Sequence, residues 1–111
     1  MTPRDIILFH EATGTGTIAE ALAPGEKFKL LYFDLHIGAG TLASENLTVT
    51  KDAGAGGAYD TVLHDENLSL GTVRDIYARQ DMELQADDVV DVDYNNGNGL
   101  TWGLTIAYQL I

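Results

Sequence analysis

The sequence predicts an all-β fold, a two-sheet antiparallel β-sandwich, and within that class a jelly roll of about eight strands. Three observations lead there. From Leu100 to Ile111 the chain holds a period of 2: Leu100, Trp102, Leu104, Ile106, Tyr108 and Leu110 share one parity, and Thr101, Gly103, Thr105, Ala107, Gln109 and Ile111 the other. A helix would scatter the large side chains around its circumference, whereas a strand stacks them on one face. Shorter alternating runs recur upstream, separated by Gly-, Asn- and Asp-rich turns, and twelve glycines against two prolines suit tight connections between short strands. No stretch reads securely as a helix. Residues 1–111 are long enough for one domain with one modest core.

Taken in order, Ile6, Ile7, Leu8 and Phe9 form an apolar run ending at His10, long enough for an edge strand and too short for a helix. Thr13-Gly14-Thr15-Gly16-Thr17 interrupts it, without the glycine spacing or the following helix of a dinucleotide fingerprint. Ile18 to Leu22 is a short strand or a helical turn, closed by Pro24-Gly25. From Lys27 to Ile37, Phe28, Leu30 and Tyr32 fall on one face and Leu31, Phe33, Leu35 and Ile37 on the other. A strand apolar on both faces is either covered twice or set against another chain. In a domain this small, the second option makes these seven residues, together with Ile111, the candidate oligomer or partner interface.

Glu45 to Lys51 alternates again, with Leu47 and Val49 inward, and the glycine-rich stretch to Gly57 is a connector. Ala58 to His64 is the next strand and Asp65-Glu66-Asn67 a turn. Thr72 to Arg79 reads as a strand, with a helix from Leu70 to Met82 competing, and Met82 with Leu84 as a short strand of its own. Val89 to Tyr94 places Val90, Val92 and Tyr94 inward and Asp91 and Asp93 outward. Asn95-Asn96-Gly97-Asn98-Gly99 offers the positive φ angles of a tight turn, so this strand is expected to fold back as a hairpin onto Leu100–Ile111. An immunoglobulin-like sandwich is the alternative way to pack the same strands.

Charge excludes several function classes. Seventeen acids face six bases, a formal net of −11, and Lys27, Lys29, Lys51, Arg74 and Arg79 are isolated from one another. Nucleic-acid binding needs clustered cations to replace counterions, so DNA, RNA and anionic membranes are not expected partners. No apolar run is long enough for a membrane span, and no cationic, apolar leader precedes the first strand. The absence of cysteine removes disulfides and thiolate metal sites.

Few residues carry chemistry. Asp87, Asp88, Asp91, Asp93 and Asn95 form the densest set of oxygen ligands, and structural calcium is the cation such a set would take. The calcium helix-loop-helix pattern fails, since Asn96 and Trp102 stand where its glycine and bidentate glutamate belong. His10, His36 and His64 lie on different segments, and neither Ser44 nor Ser69 has a nucleophile-elbow context. No catalytic residue is assigned, no cofactor is expected, and an enzyme is not the expected function. Tyr32, Tyr59, Tyr94, Trp102 and Tyr108 are candidates for a sugar platform, with Trp102 facing inward by default.

Glu45-Asn46-Leu47-Thr48-Val49-Thr50-Lys51-Asp52, Tyr59-Asp60-Thr61-Val62-Leu63, Leu84 with Asp87-Asp88-Val89-Val90, and Thr101-Trp102-Gly103-Leu104 together give the chain a further likeness. From Ser44 through Leu110 it resembles small tailed-bacteriophage virion proteins with a β-sandwich fold. The usual Gly-Asp before the penultimate strand is here Asp87-Asp88. The resemblance implies a non-enzymatic structural role on the particle, as head decoration, head-fibre or spike component, or part of the tail or neck. It also implies homo-oligomers, often trimers, in contact with other virion proteins. A strongly acidic module would be repelled by packaged DNA, which points to the particle exterior. A carbohydrate-binding module for host adhesion is the rival expectation.

Overall fold

The computed structural model describes residues 6–70 and 75–111, in which eight strands form two four-stranded antiparallel sheets. They are β1 (Ile7–Gly14), β2 (Ile18–Leu22), β3 (Phe28–Ile37), β4 (Asn46–Asp52), β5 (Thr61–Asn67), β6 (Asp75–Leu84), β7 (Val89–Tyr94) and β8 (Trp102–Leu110). Sheet A runs β1-β8-β3-β6 and sheet B runs β2-β7-β4-β5. Only β4 and β5 are both consecutive in sequence and paired; every other connection between described strands crosses to the opposite sheet. This strand order is that of a jelly roll. The fold is therefore the all-β, two-sheet sandwich that the alternation predicts.

One apolar layer lies between the sheets. Trp102, Leu104 and Ile106 of β8 meet Ile18, Leu47, Val49, Val90, Val92 and Tyr94 from sheet B in a single buried cluster. Each large side chain so buried stabilises the fold by roughly 1.5–3 kcal/mol. The inward parity of β8 is the one read from the sequence. β1 is an edge strand, as its short apolar run suggests, but it continues through Thr13 to Gly14. Gly14 makes a close fit there: it pairs with Trp102, and a Cβ would lie 3.0 Å from the indole ring.

Four expectations are corrected. Lys27–Ile37 is not apolar on both faces. Its register slips between Leu30 and Tyr32, so Leu31 is the extra residue of a β-bulge and the inward parity changes across it. Phe28, Leu30, Phe33, Leu35 and Ile37 all end in the core, at 1% exposure or less. On the facing strand the register passes from Met82 directly to Arg79, and Asp81 takes a positive φ of 49°.

Second, Val89–Tyr94 does not pair with the last strand. β7 sits in sheet B against β2 and β4, while β8 sits in sheet A against β1 and β3. Asn96 is the reason. It is buried at a φ of 53°, and its amide donates to the carbonyls of Thr15 (3.2 Å), Gly16 (3.0 Å) and Leu100 (2.8 Å) while its oxygen accepts the Leu100 N–H (3.1 Å). The loop thus becomes a corner between sheets, tied to the β1–β2 connection, and not a two-residue turn.

Third, Asp65-Glu66-Asn67 is no turn but the end of β5, and residues 57–59 form a short 3₁₀ turn before it. Fourth, Asp75 to Leu84 is one strand, with no separate element at Met82–Leu84 and no helix. Residues 72–74 of the expected strand lie outside the described residues.

Candidate functional site

The outer face of sheet A is built by the strands just named. Its central row runs Phe9, Ala107, Tyr32 and Arg79 across β1, β8, β3 and β6. Ile7, Gln109, Lys29 and Glu83 form the row on one side, and Glu11, Thr105, Asp34 and Tyr77 the row on the other. Ala107 points away from the core yet is fully buried, because it is the pairing partner of both Phe9 and Tyr32. A small residue thus stands between two large ones in the same row.

The β-bulge shapes this face. It brings Leu31 outward beside Tyr32, and the Tyr32 ring packs on that of Tyr77 at 5.0 Å between centroids, tilted by 36°. Ile7, Leu31, Tyr32, Tyr77, Arg79, Asp81 and Gln109 line a half-open depression of about 370 Å³. The Arg79 Nε donates to Asp81 Oδ2 at 2.5 Å, and that carboxylate raises the pKa of the guanidinium further. Phe9 remains 53% exposed and Tyr77 58%. Ile111 follows β8 on the outward parity, its backbone N–H bonded to the Lys27 carbonyl at 3.1 Å.

Three of the eight residues expected at an interface, Leu31, Tyr32 and Ile111, therefore lie on this face, and the five that the bulge turns inward do not. Ile7, Phe9, Tyr77 and Arg79 lie on the same face and are not among the expected interface residues. The alternation of Ile7 and Phe9 against Leu8 and His10, and of Tyr77 and Arg79 against Ile76 and Ala78, is the signal in the sequence that sets them outward.

The outer face of sheet B is acidic. Asp91 and Asp93 of β7 point outward, with Thr48 and Thr50 of β4 beside them and Asp65 of β5 beyond. Partial burial, and then the charges of Asp93, Asp52 and Asp60, push the Asp91 carboxyl above its ordinary value.

The five expected calcium ligands divide between different tasks. Asp88 is buried and accepts the backbone N–H groups of Gln85 (2.8 Å) and Gly54 (3.1 Å), which closes the turn before β7. Asp87 is exposed against Gly54. Asp91 and Asp93 face solvent from the sheet, and Asn95 donates to Glu45 at the corner loop. Among the described residues no three His, Asp or Glu side chains form a metal-ligand group. The histidines are equally dispersed: His10 pairs with Glu20 (3.1 Å), His36 with Asp75 (2.5 Å) and His64 with Glu66 (3.0 Å).

Glu45, which sequence reasoning placed only at a strand start, is a hub of the corner. It accepts from Asn95 and from the Gly97 N–H (2.8 Å), and with burial as the larger cause it helps push the Tyr94 phenol up. Trp102 Nε1 donates to the Gly16 carbonyl at 3.0 Å. Tyr94 and Trp102 are thus core and corner residues, and Tyr108 packs edge-on against Phe28, so these three are unavailable as a sugar platform.

No protein-family model matches the chain, and no curated protein matches it. Among solved structures it is similar to the Drosophila NLP-core, a protein described in terms of pentamer formation and histone binding. The TM-score is 0.47 and the identity 16%, over 90% of this chain and 96% of that chain. At that level neither pentamers nor histones transfer to this chain.

Proposed function

We propose that this chain is a non-enzymatic, self-associating jelly-roll module that serves as an exterior structural component of a bacteriophage particle. The observation that carries the self-association is the outer face of sheet A. There Ile7, Phe9, Leu31, Tyr32 and Tyr77 gather on a chain whose other broad face repels its own kind. Contiguous exposed apolar surface of this sort marks an interaction site. The particle assignment rests on the sequence resemblance to tailed-phage virion proteins, and its exterior placement on the net charge of −11, which packaged DNA would repel.

The test has two parts. Sedimentation of the full chain at micromolar concentration should give a discrete oligomer, and a monomer would remove the self-association. Purified particles should contain the chain in a fixed stoichiometric copy number, and its absence would remove the virion assignment.

A second reading is favoured by one observation. The paired rings of Tyr32 and Tyr77, with Arg79, Asp81 and Gln109 around the same depression, offer stacking surface and hydrogen-bonding groups to a neutral saccharide. A glycan-array signal lost in Tyr77→Ala would support adhesion over structure; no signal on the array would remove it.

A further inference from the structure

Of the asparagines in the chain, Asn46, Asn67, Asn95, Asn96 and Asn98, only Asn96 and Asn98 are followed by glycine. The amide carbon of an asparagine lies within reach of the next residue's backbone nitrogen. Once that nitrogen gives up its proton it attacks the carbon and closes a five-membered cyclic imide. A side chain on the following residue crowds this approach, as Leu47, Leu68 and Asn96 do after Asn46, Asn67 and Asn95. Glycine leaves it open.

The fold treats the two Asn-Gly pairs differently. Asn96 is 5% exposed, and its Nδ2 donates to the carbonyls of Thr15, Gly16 and Leu100. Releasing that nitrogen as ammonia breaks all three bonds in a site almost closed to water. The Gly97 N–H is held by the Glu45 carboxylate at 2.8 Å, and a Cβ on Gly97 would lie 3.1 Å from the same carboxylate. A negative charge there disfavours the ionised nitrogen that ring closure needs. Asn98 and Gly99, on the solvent side of the same loop, are both exposed. Asn98 Nδ2 donates to the Thr41 carbonyl at 2.8 Å, and the Gly99 N–H to the neutral Asn96 carbonyl at 2.9 Å. A Cβ on Gly99 would meet nothing closer than the Thr15 carbonyl oxygen at 3.6 Å.

We propose that Asn98 is a site of spontaneous covalent modification, converting through a cyclic imide with Gly99 to aspartate and isoaspartate, while the fold holds Asn96 intact. In the first step the Gly99 nitrogen bonds to Asn98 Cγ and the Cγ–Nδ2 bond breaks. Nδ2 leaves as ammonia, carrying the proton that the backbone nitrogen lost. Water then opens the ring: addition at Cγ gives aspartate, and addition at the Asn98 main-chain carbonyl gives isoaspartate. Nothing is oxidised or reduced. Either product adds a negative charge to a chain already at −11 and removes the amide donor to Thr41, a tie between the β7–β8 corner and the β3–β4 connection. Isoaspartate also adds one carbon to the main chain of the turn.

The experiment ages the full chain in warm, mildly alkaline buffer and follows each asparagine by peptide mapping, as a gain of one mass unit. An isoaspartate-specific methyltransferase reads the rearranged product. In the folded chain Asn98 should convert at least about tenfold faster than Asn96, the ratio expected for breaking the extra hydrogen bonds of Asn96. In concentrated urea the two rates should come together, because only the fold separates them. A folded chain in which Asn98 stays intact, or in which Asn96 keeps pace with it, overturns the proposal. So does a difference that persists in urea, which would place its cause in the local sequence.

Discussion

Across the middle of sheet A the outward residues are Phe9, Ala107, Tyr32 and Arg79; across the middle of sheet B they are Ala19, Asp93, Thr48 and Asp65. The pleat and strand number are the same, and the chemistry differs completely. On sheet A an alanine that pairs with two large residues is lost to solvent. On sheet B small residues stand between carboxylates that repel one another and raise the affinity of Asp91 for a proton. A sandwich needs only its inner faces to fold. The outer faces are free to differ, one with exposed rings in its middle row and one with carboxylates.

Matched alanine substitutions are the most severe test of that contrast. Ala107→Glu forces a long charged side chain between Phe9 and Tyr32 and should cost about 3 kcal/mol in urea unfolding, from overpacking and an uncompensated charge. Ala19→Glu, exposed at the edge of sheet B beside Asp93, should cost under about 1 kcal/mol. Equal losses would mean that the two faces are not packed differently.

Next in size is Asn96→Ala, which probes whether the faces belong to separate sheets at all. It removes the donor to three carbonyls at the corner where the chain passes from β7 to β8, and should cost about 2 kcal/mol in the same assay. A neutral result would mean that the corner does not hold the sheets in place.

Phe9→Ser should weaken self-association about tenfold, or about 1.4 kcal/mol, with little change in the melting temperature. If it lowers the melting temperature by many degrees and leaves association intact, Phe9 serves the fold and not the face.

The smallest effect lies on sheet B. Asp91→Asn should stabilise the protein by about 0.5 kcal/mol at pH 7. The raised carboxyl pKa means that the folded state disfavours the ionised form at neutral pH. That penalty is relieved as the pH falls through the folded value toward 3.8, so the gain should vanish below it. Added salt should shrink the gain by screening Asp93, Asp52 and Asp60. A gain that grows in acid would contradict the assigned cause.

Much of this protein is legible before any coordinates. The parity of Trp102, Leu104 and Ile106, the inward Leu47 and Val49, and the outward Asp91 and Asp93 all follow from side chains alternating along a strand. The outer face of sheet A is only partly legible. Alternation puts Leu31 and Tyr32 on opposite faces of a doubly apolar strand, whereas the bulge sets both outside and their neighbours inside. Nothing local in Leu30-Leu31-Tyr32-Phe33 announces that bulge. It exists because both halves of β3 must face one core, and because Asp81 on the neighbouring strand adopts the φ that lets the register slip.

What the sequence alone determined is the list of strands and, for most of them, which side of each is apolar, because period 2 is a property of neighbouring residues. Which strand lies beside which was decided only in three dimensions. The run from Val89 to Leu110 is compatible with a hairpin and equally with two strands on opposite walls of a core, since both bury the same parity. The choice falls to a buried amide at Asn96 and the carbonyls of Thr15 and Gly16, some eighty residues away in the chain. Pairing is non-local, and so are the outer faces that pairing assembles.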